Sequence, residues 1–328
     1  MTSSAAIEPT EREAPLERQL EEFRRELTGY CYRMLGSAFE AEDAVQETMI
    51  RAWRGHRGFE GRAALRSWVY RIATNVCMDA LNGRQRRARP MDLTSSATVS
   101  TASGTQLPEV TWIGPVPDTL LTADPAELTT RRESVRLAFV AALQRLAPKQ
   151  RAVLILREVL AWSAAEVAEL LGVTVASVNS ALQRARSTMA AQEPVVTDPL
   201  RPLDQDQERL LERYLRAFES YDLDTLAGLL HEDAVLSMPP YEMWLRGKGE
   251  IRDWLLGPGC GCRGSRLLPT VANGAPAFGQ YRPSPDGGHA PWALQVLEIS
   301  AGRVVGLNSF LDTEQLFPLF GLPARLDG

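Results

Sequence analysis

Ser163-Ala-Ala-Glu166-Val-Ala-Glu-Leu-Leu-Gly172-Val-Thr174-Val-Ala-Ser-Val178-Asn-Ser-Ala-Leu-Gln-Arg-Ala-Arg186 encodes two short helices and the turn between them. Ser163 and Glu166, three residues apart before an apolar run, fit a capping box in which each side chain satisfies the other's open backbone N–H. Val167, Ala168 and Leu171 follow at helical spacing, and Gly172 predicts a left-handed C-terminal cap. Thr174 can cap a second helix that turns Val178, Ala181, Leu182 and Ala185 inward. Its opposite face then carries Ser177, Asn179, Ser180, Gln183, Arg184 and Arg186. In a helix-turn-helix the second helix enters the major groove, where Asn and Gln pair with adenine and Arg with guanine or phosphate. A plain helical hairpin with a solvated polar face would carry the same pattern.

Working outward, Val135, Phe139, Ala142 and Leu146 predict a helix ending near Pro148, with Val153, Leu154 and Leu160 on the next. Further upstream, Leu16, Leu20, Phe23, Leu27, Tyr30 and Met34 mark one helix, and Glu40 to Trp53 another. Leu65, Trp68, Ile72, Val76 and Ala80 form a third stripe, expected to continue through Arg84, Arg86, Arg87 and Arg89 and to stop at Pro90. Residues 91–130 are rich in Thr, Ser, Gly and Pro and read as a linker with isolated anchors at Trp112, Ile113 and Leu120. After Pro202 the periods mix. Leu211, Tyr214, Leu215, Phe218, Leu223, Leu226 and Leu230 are helical, whereas Ala234–Met238, Trp292–Ile299 and Arg303–Leu311 predict antiparallel strands. The expected architecture is multidomain: two all-α modules and a C-terminal α+β domain. The boundaries are a polar tail (1–18), a first module (19–90), a linker (91–130), a second module (131–192), a joint (193–204) and the last domain (205–328).

Composition narrows the function. The 328 residues are 45% apolar and 23% charged, and no apolar run reaches the ~20 residues needed to span a bilayer. With a polar, acid-rich start, the chain is expected to be cytoplasmic and free of membrane. Four cysteines make no disulfide framework, Cys260-Gly-Cys262 has the wrong spacing for a zinc knuckle, and His56, His231 and His289 are scattered, so neither metal nor cofactor is expected. The net charge of −5 hides a division. Residues 1–192 hold 24 basic and 22 acidic side chains, whereas residues 193–328 hold 12 and 19. Phosphate binding follows local charge, so an acidic whole does not exclude nucleic acid. For the arginine cluster the bland alternative is a solvated helix end favoured by the helix dipole.

The pattern resembles the extracytoplasmic-function sigma factors of the sigma-70 family. The resemblance rests on Ala41-Glu-Asp-Ala-Val-Gln-Glu-Thr48 with Arg51-Ala-Trp53, on Arg66-Ser-Trp68-Val-Tyr-Arg71-Ile-Ala-Thr-Asn75 with Asp79, and on Leu146-Ala-Pro148-Lys-Gln150 with the capped helix pair. It implies that Asp43, Gln46 and Glu47 dock on core RNA polymerase. It implies too that the Leu65–Arg84 helix, with Arg62, Arg66, Arg71, Asn75 and the arginines from Arg84, opens the minus-ten element of promoter DNA. Residues 174–186 would read the minus-thirty-five element.

Residues 205–320 are similar to the ketosteroid-isomerase and polyketide-cyclase-like (SnoaL-like) cone. The match is carried by Arg213-Tyr214-Leu-Arg-Ala-Phe218, Leu229-Leu-His-Glu-Asp233-Ala-Val and Met238-Pro-Pro240. That fold implies an apolar pocket, with Tyr214, Met238, Trp244, Trp254, Phe278, Trp292 and Phe310 as candidate lining and a small molecule as candidate ligand. A ketosteroid isomerase needs a carboxylate base and a second, protonated acid beside its tyrosine. Tyr214 falls at the tyrosine position, but the base position falls at Met238 and the second acid near Gln295, so the cone is expected to be regulatory rather than catalytic. Two other functions fit parts of the chain: a free-standing helix-turn-helix regulator, and a cyclase- or isomerase-like enzyme with an accessory DNA-binding half. Trp112-Ile-Gly-Pro115-Val-Pro-Asp118 resembles a linker motif of sigma factors with a fused cone and is expected to dock on the cone or the helical modules.

Overall fold

A computed structural model describes residues 16–55, 65–102, 104–121, 134–191 and 205–327. The first module comprises α1 (Leu16–Glu22), α2 (Arg24–Leu35), α3 (Ala38–Gly55) and α4 (Leu65–Leu81). The single helix expected from Leu16 to Met34 is divided at Phe23, whose N–H reaches only three residues back, to the Leu20 carbonyl. Gly36, with φ +76°, caps α2 in the left-handed region and lets the chain reverse into α3. Tyr30, Cys31, Met34, Val45, Val69, Tyr70, Ala73 and Cys77 meet in the core of this bundle. The expectation that α4 continues to Pro90 is corrected. It ends at Leu81, Gly83 takes φ +73°, and Pro90 opens a one-turn helix, α5 (Pro90–Leu93).

The second module runs through α6 (Leu137–Gln144), α7 (Pro148–Leu154), a π-helical turn (Ile155–Val159), α8 (Ala164–Leu171) and α9 (Val175–Ala190). Both halves of the capping box are present: Ser163 N–H donates to Glu166 Oε2 at 2.7 Å, and Glu166 N–H to Ser163 Oγ at 3.2 Å. Gly172 adopts φ +62°, and Thr174 Oγ1 accepts from Ser177 N–H at 3.2 Å. Val178, Ala181, Leu182 and Ala185 are buried. The two modules touch directly: α4 packs on α7 and α8, and α2 on α6.

The C-terminal domain places α10 (Gln205–Glu219), α11 (Leu223–Leu229) and α12 (Lys248–Leu256) against a six-stranded sheet ordered β2-β1-β6-β5-β4-β3. Its strands are β1 (Leu230–Ser237), β2 (Trp244–Arg246), β3 (Arg266–Ala272), β4 (Ala275–Pro283), β5 (His289–Ser300) and β6 (Arg303–Phe310). The sheet is mixed rather than antiparallel, because β1 and β6 run parallel. One face, with Leu267, Phe278, Leu297 and Leu307, closes on the helices to form the cone's core. The other, with Ala277, Tyr281, Leu294 and Val296, is continuous with the core of the helical modules and carries α13 (Thr313–Leu319). Residues 94–102 and 104–121 are more than a linker with a few anchors. Ala97 N–H donates to Trp244 O (2.8 Å), Leu107 N–H to Pro240 O (3.0 Å) and Gly114 N–H to Gly36 O (2.9 Å), so this tether lies along the cone edge before crossing to the first module. Trp112 and Ile113 are buried.

Asn273, at the tip of the β3–β4 hairpin, joins all of these parts. It is fully buried, and its φ of +55° with the following Gly274 at +66° forms the two-residue turn that Asn-Gly favours. Its Nδ2 donates to Tyr32 Oη and to Val135 O, both at 2.6 Å, and its Oδ1 accepts from Val116 N–H at 3.0 Å. One side chain thus bonds the first module, the second module and the tether from the tip of the cone.

Candidate nucleic-acid interface and appended cone

On α9, Ser177, Asn179, Ser180, Gln183, Arg184 and Arg186 are all exposed, in one continuous face opposite the buried stripe. Arg184 donates to Ser180 Oγ at 2.6 Å, and Arg186 Nε to Glu158 Oε1 at 2.8 Å. Both contacts are solvent-accessible and weak enough to exchange for a phosphate or a base edge.

The face of α4 is arranged differently. Arg66 pairs with Glu26 and lays its guanidinium over Trp162 of the second module, 5.0 Å from the ring centroid. Trp162 also packs on Tyr70 with centroids 5.0 Å apart. Arg71 donates to the Glu169 carbonyl on α8 at 3.2 Å, while Asn75 remains exposed. Arg62 lies outside the described residues. Arg84 and Arg86 are exposed, with Arg84 paired to Glu40 at 2.5 Å. Arg87 departs from the expectation of an open basic cluster. It is 5% exposed and is held by Glu40 (3.0 Å), Glu109 (3.2 Å) and the Trp112 carbonyl (2.5 Å), which makes it a tie between the first module and the tether. The chain leaves α4 before the cluster, so the four arginines do not share one helical face.

Further ties hold the modules together. Arg33 donates to Ser134 Oγ (2.7 Å), Gln144 Nε2 to Arg33 O (3.3 Å), and buried Arg151 reaches Met34 O and Gln144 Oε1. Asp92 accepts from Arg145 at 2.8 Å and from Arg89 at 3.2 Å. Burial by itself raises the Asp92 carboxyl, but the Arg89 charge and the hydrogen bonds from both arginines outweigh it and hold the group below its ordinary range. On α3, Asp43 and Gln46 are exposed and Glu47 is half-buried, paired with Arg51 at 2.7 Å.

In the cone, a cavity of about 310 Å³ opens between the sheet and α12. Met238, Trp254 and Trp292 line it. Tyr214, Phe278, Trp244 and Phe310 do not. Tyr214 and Phe278 stack in the core with centroids 5.7 Å apart, and Trp244 turns outward, donating its indole N–H to Thr94 O on the tether (2.9 Å). Phe310 faces a second cavity, of about 300 Å³, between the tether, the cone and the start of α3. Burial raises the Tyr214 phenol well above its usual range, so it stays protonated and donates to Gln295 Oε1 at 3.0 Å. Gln295 Nε2 donates to Gln280 Oε1 (2.9 Å), and Gln280 Nε2 to Ser265 Oγ (3.0 Å). Among the described residues, the cavity lining contains no carboxylate. Sequence reasoning overlooked Gln280 and Arg282 as lining; the Asn273-Gly274 turn signal, which sets the β3–β4 register, could have found both.

Two helical modules followed by a cone define a sigma-70 protein with an appended domain, and three family models match in that order. Sigma-70 region 2 covers residues 20–87, Sigma-70 region 4 covers 136–189, and the SnoaL-like domain covers 211–307. The chain belongs to the extracytoplasmic-function (ECF) RNA polymerase sigma factors. It is 45% identical to the ECF RNA polymerase sigma factor SigG of Mycobacterium tuberculosis, over 99% of this chain and 89% of that protein. It is 29% identical to SigJ of the same organism, over 88% of this chain and 89% of that one. The crystal structure of M. tuberculosis SigJ shares the fold, with a TM-score of 0.60 and 24% identity over 94% of this chain and 99% of that one.

Proposed function

We propose that this chain brings core RNA polymerase to a particular set of promoters in the cytoplasm and that its cone regulates this in cis, by holding the two promoter-facing modules together. Asp43, Gln46 and Glu47 are the polymerase contacts in this reading. Arg66, Arg71, Asn75, Arg84 and Arg86 serve the minus-ten element and the exposed face of α9 the minus-thirty-five element. The contact of Arg66 and Arg71 with Trp162 and Glu169 is the observation that carries the regulatory part. The two promoter elements lie about 25 base pairs apart, on the order of 80 Å at ~3.4 Å per pair. Modules whose side chains touch cannot span that distance. A tether of some forty residues, at ~3.3–3.6 Å each when extended, can. Binding both elements therefore requires the modules to separate.

The cone acts here as a binding module rather than an enzyme. The amide of Gln295 occupies the Tyr214 phenol, and none of the described carboxylates faces the cavity to serve as base. Runoff transcription with core polymerase and a random promoter library tests the whole reading. The full chain should direct initiation at a defined sequence class, and Asp43→Ala with Glu47→Ala should lose polymerase association while melting normally. Failure to confer selective initiation, even when the modules are freed from the cone, would overturn it.

A further inference from the structure

Among the described residues, Arg282, on β4, is the one charged side chain lining the cone cavity. Its guanidinium lies over the Trp292 ring, with Cζ 3.3 Å from the centroid, and Nη2 donates to Cys262 Sγ at 3.1 Å. Nε is buried without a partner, and no carboxylate stands within ion-pair distance among the described residues. Sulfur is a weak acceptor and an indole face a diffuse one, so this cation is held in a fixed direction while its charge stays unmatched.

The local backbone explains how the pair arises. Gln280 pairs with Ala293 and Tyr281 with Pro291, which leaves Trp292 as the extra residue of a β-bulge in β5. Strict alternation would put Trp292 on the face of Leu294 and Val296, against the helical modules; the bulge instead aims it into the cavity beside Arg282. The neighbouring polar groups are already committed to one another through Tyr214, Gln295, Gln280 and Ser265. The other walls include Trp254, Tyr241, Phe218, Met238 and Met243. At about 310 Å³ the space lies at the small end of the ~300–1,000 Å³ range of small-molecule sites.

Two further wall residues, Ala102 and Gly104, come from the tether rather than from the cone. They follow the stretch in which Ala97 N–H bonds Trp244 O and Val99 N–H bonds Glu250 Oε2 (2.9 Å), and Glu242 N–H donates to Thr105 O just beyond them. Whatever fills the cavity therefore presses on the segment that joins the two promoter modules.

We propose that the cone cavity binds an aromatic carboxylic acid, with the carboxylate on the Arg282 fork and the ring between Trp254 and Trp292, and that the bound acid fixes the tether against the cone. A guanidinium matches a planar carboxylate through two parallel N–H···O bonds, and the apolar walls favour a flat ring over an inorganic anion. This rests on reading the cone as a regulatory module and names the ligand class and the element it acts on.

The experiment uses the purified full-length chain without polymerase, so its outcome is independent of promoter-directed transcription. 2-Naphthoate, its neutral carboxamide and inorganic phosphate are titrated against tryptophan fluorescence. Naphthoate should bind saturably, at least tenfold more tightly than the carboxamide, and phosphate should not displace it. Arg282→Met should weaken naphthoate at least tenfold and leave carboxamide binding unchanged, with Arg282→Lys in between; the wild-type ratio of acid to amide keeps the test open should a variant fail to fold. Equal binding of acid and amide, displacement by phosphate, or no binding of naphthoate at millimolar concentration overturns the ligand class. Hydrogen exchange of residues 97–107 should slow when naphthoate saturates; unchanged exchange overturns the coupling to the tether.

Discussion

The two surfaces proposed to meet promoter DNA differ in what engages them. The polar face of α9 stands in solvent, with Arg184 and Arg186 in contacts that water or phosphate can replace. On α4, Arg66 and Arg71 stay open to solvent but engage the other module, one over Trp162 and one bonded to the α8 backbone. Local sequence does not create this difference, since both helices offer arginines opposite an apolar stripe. It comes from the docking of the modules, and the Asn273 tip of the cone, with its bonds to Tyr32, Val135 and Val116, reinforces that docking. Closure thus falls on the surface proposed to open DNA and spares the one proposed to read duplex sequence.

Asn273→Ala should break the contrast most strongly. It leaves the Val135 carbonyl and the Val116 N–H without their partner, at ~1–3 kcal/mol each, removes one of the two bonds of the Tyr32 hydroxyl, which keeps Gly114 O, and places alanine at a positive φ, so the closed form should lose about 3–5 kcal/mol. Urea unfolding, together with energy transfer between dyes on the two modules, should report a weaker and more open molecule. Arg184→Ala probes the free surface: promoter affinity should fall by ~1–3 kcal/mol if the side chain meets a base edge, and uniformly over sequences, with a smaller salt slope, if it meets phosphate. Module separation should not change.

Acid should act on the docked side. The Asp92 carboxyl is held below its unfolded value, so its ties to Arg89 and Arg145 stabilise the fold fully above that unfolded value, near pH ~4. The stabilisation is lost as pH falls further, through the lower folded value. Asp92→Asn should therefore cost stability at neutral pH and flatten the pH dependence below ~4, read from denaturation midpoints across a pH series. The smallest effect is expected at Arg186→Ala, whose pair with Glu158 is exposed and worth at most ~0.5 kcal/mol to folding. Its change should appear in DNA binding and hardly at all in the melting temperature.

Legibility followed range. The capping box at Ser163, the Gly172 turn and the Thr174 cap depend on contacts within four residues, and the helix pair built on them has the expected bounds and buried face. The arginines after Leu81 escape such a reading, because a periodic stripe says nothing about where Glu40 and Glu109 will stand once the chain has folded back. The β1–β6 pairing is parallel and spans the whole sheet domain, with no local signal to announce it. The β3–β4 hairpin has such a signal in Asn273-Gly274, but its strands mix Pro, Gly and Ala with larger residues and blur the period of two. In the cone, Met238, Trp254 and Trp292 reach the cavity, whereas Phe278 points into the core beside Tyr214. Aromatic content alone does not distinguish a wall from a filling.

Synthesis runs from the N-terminus, so the hairpin tip at Asn273 leaves the ribosome after both helical modules have already emerged. At ~5–20 residues per second, the interval between the end of α9 and that tip is on the order of 10 s. During this time the newborn chain has two finished modules held by their own mutual contacts alone, and every newly made molecule passes once through a looser youth before the last third of its own sequence adds the final tie.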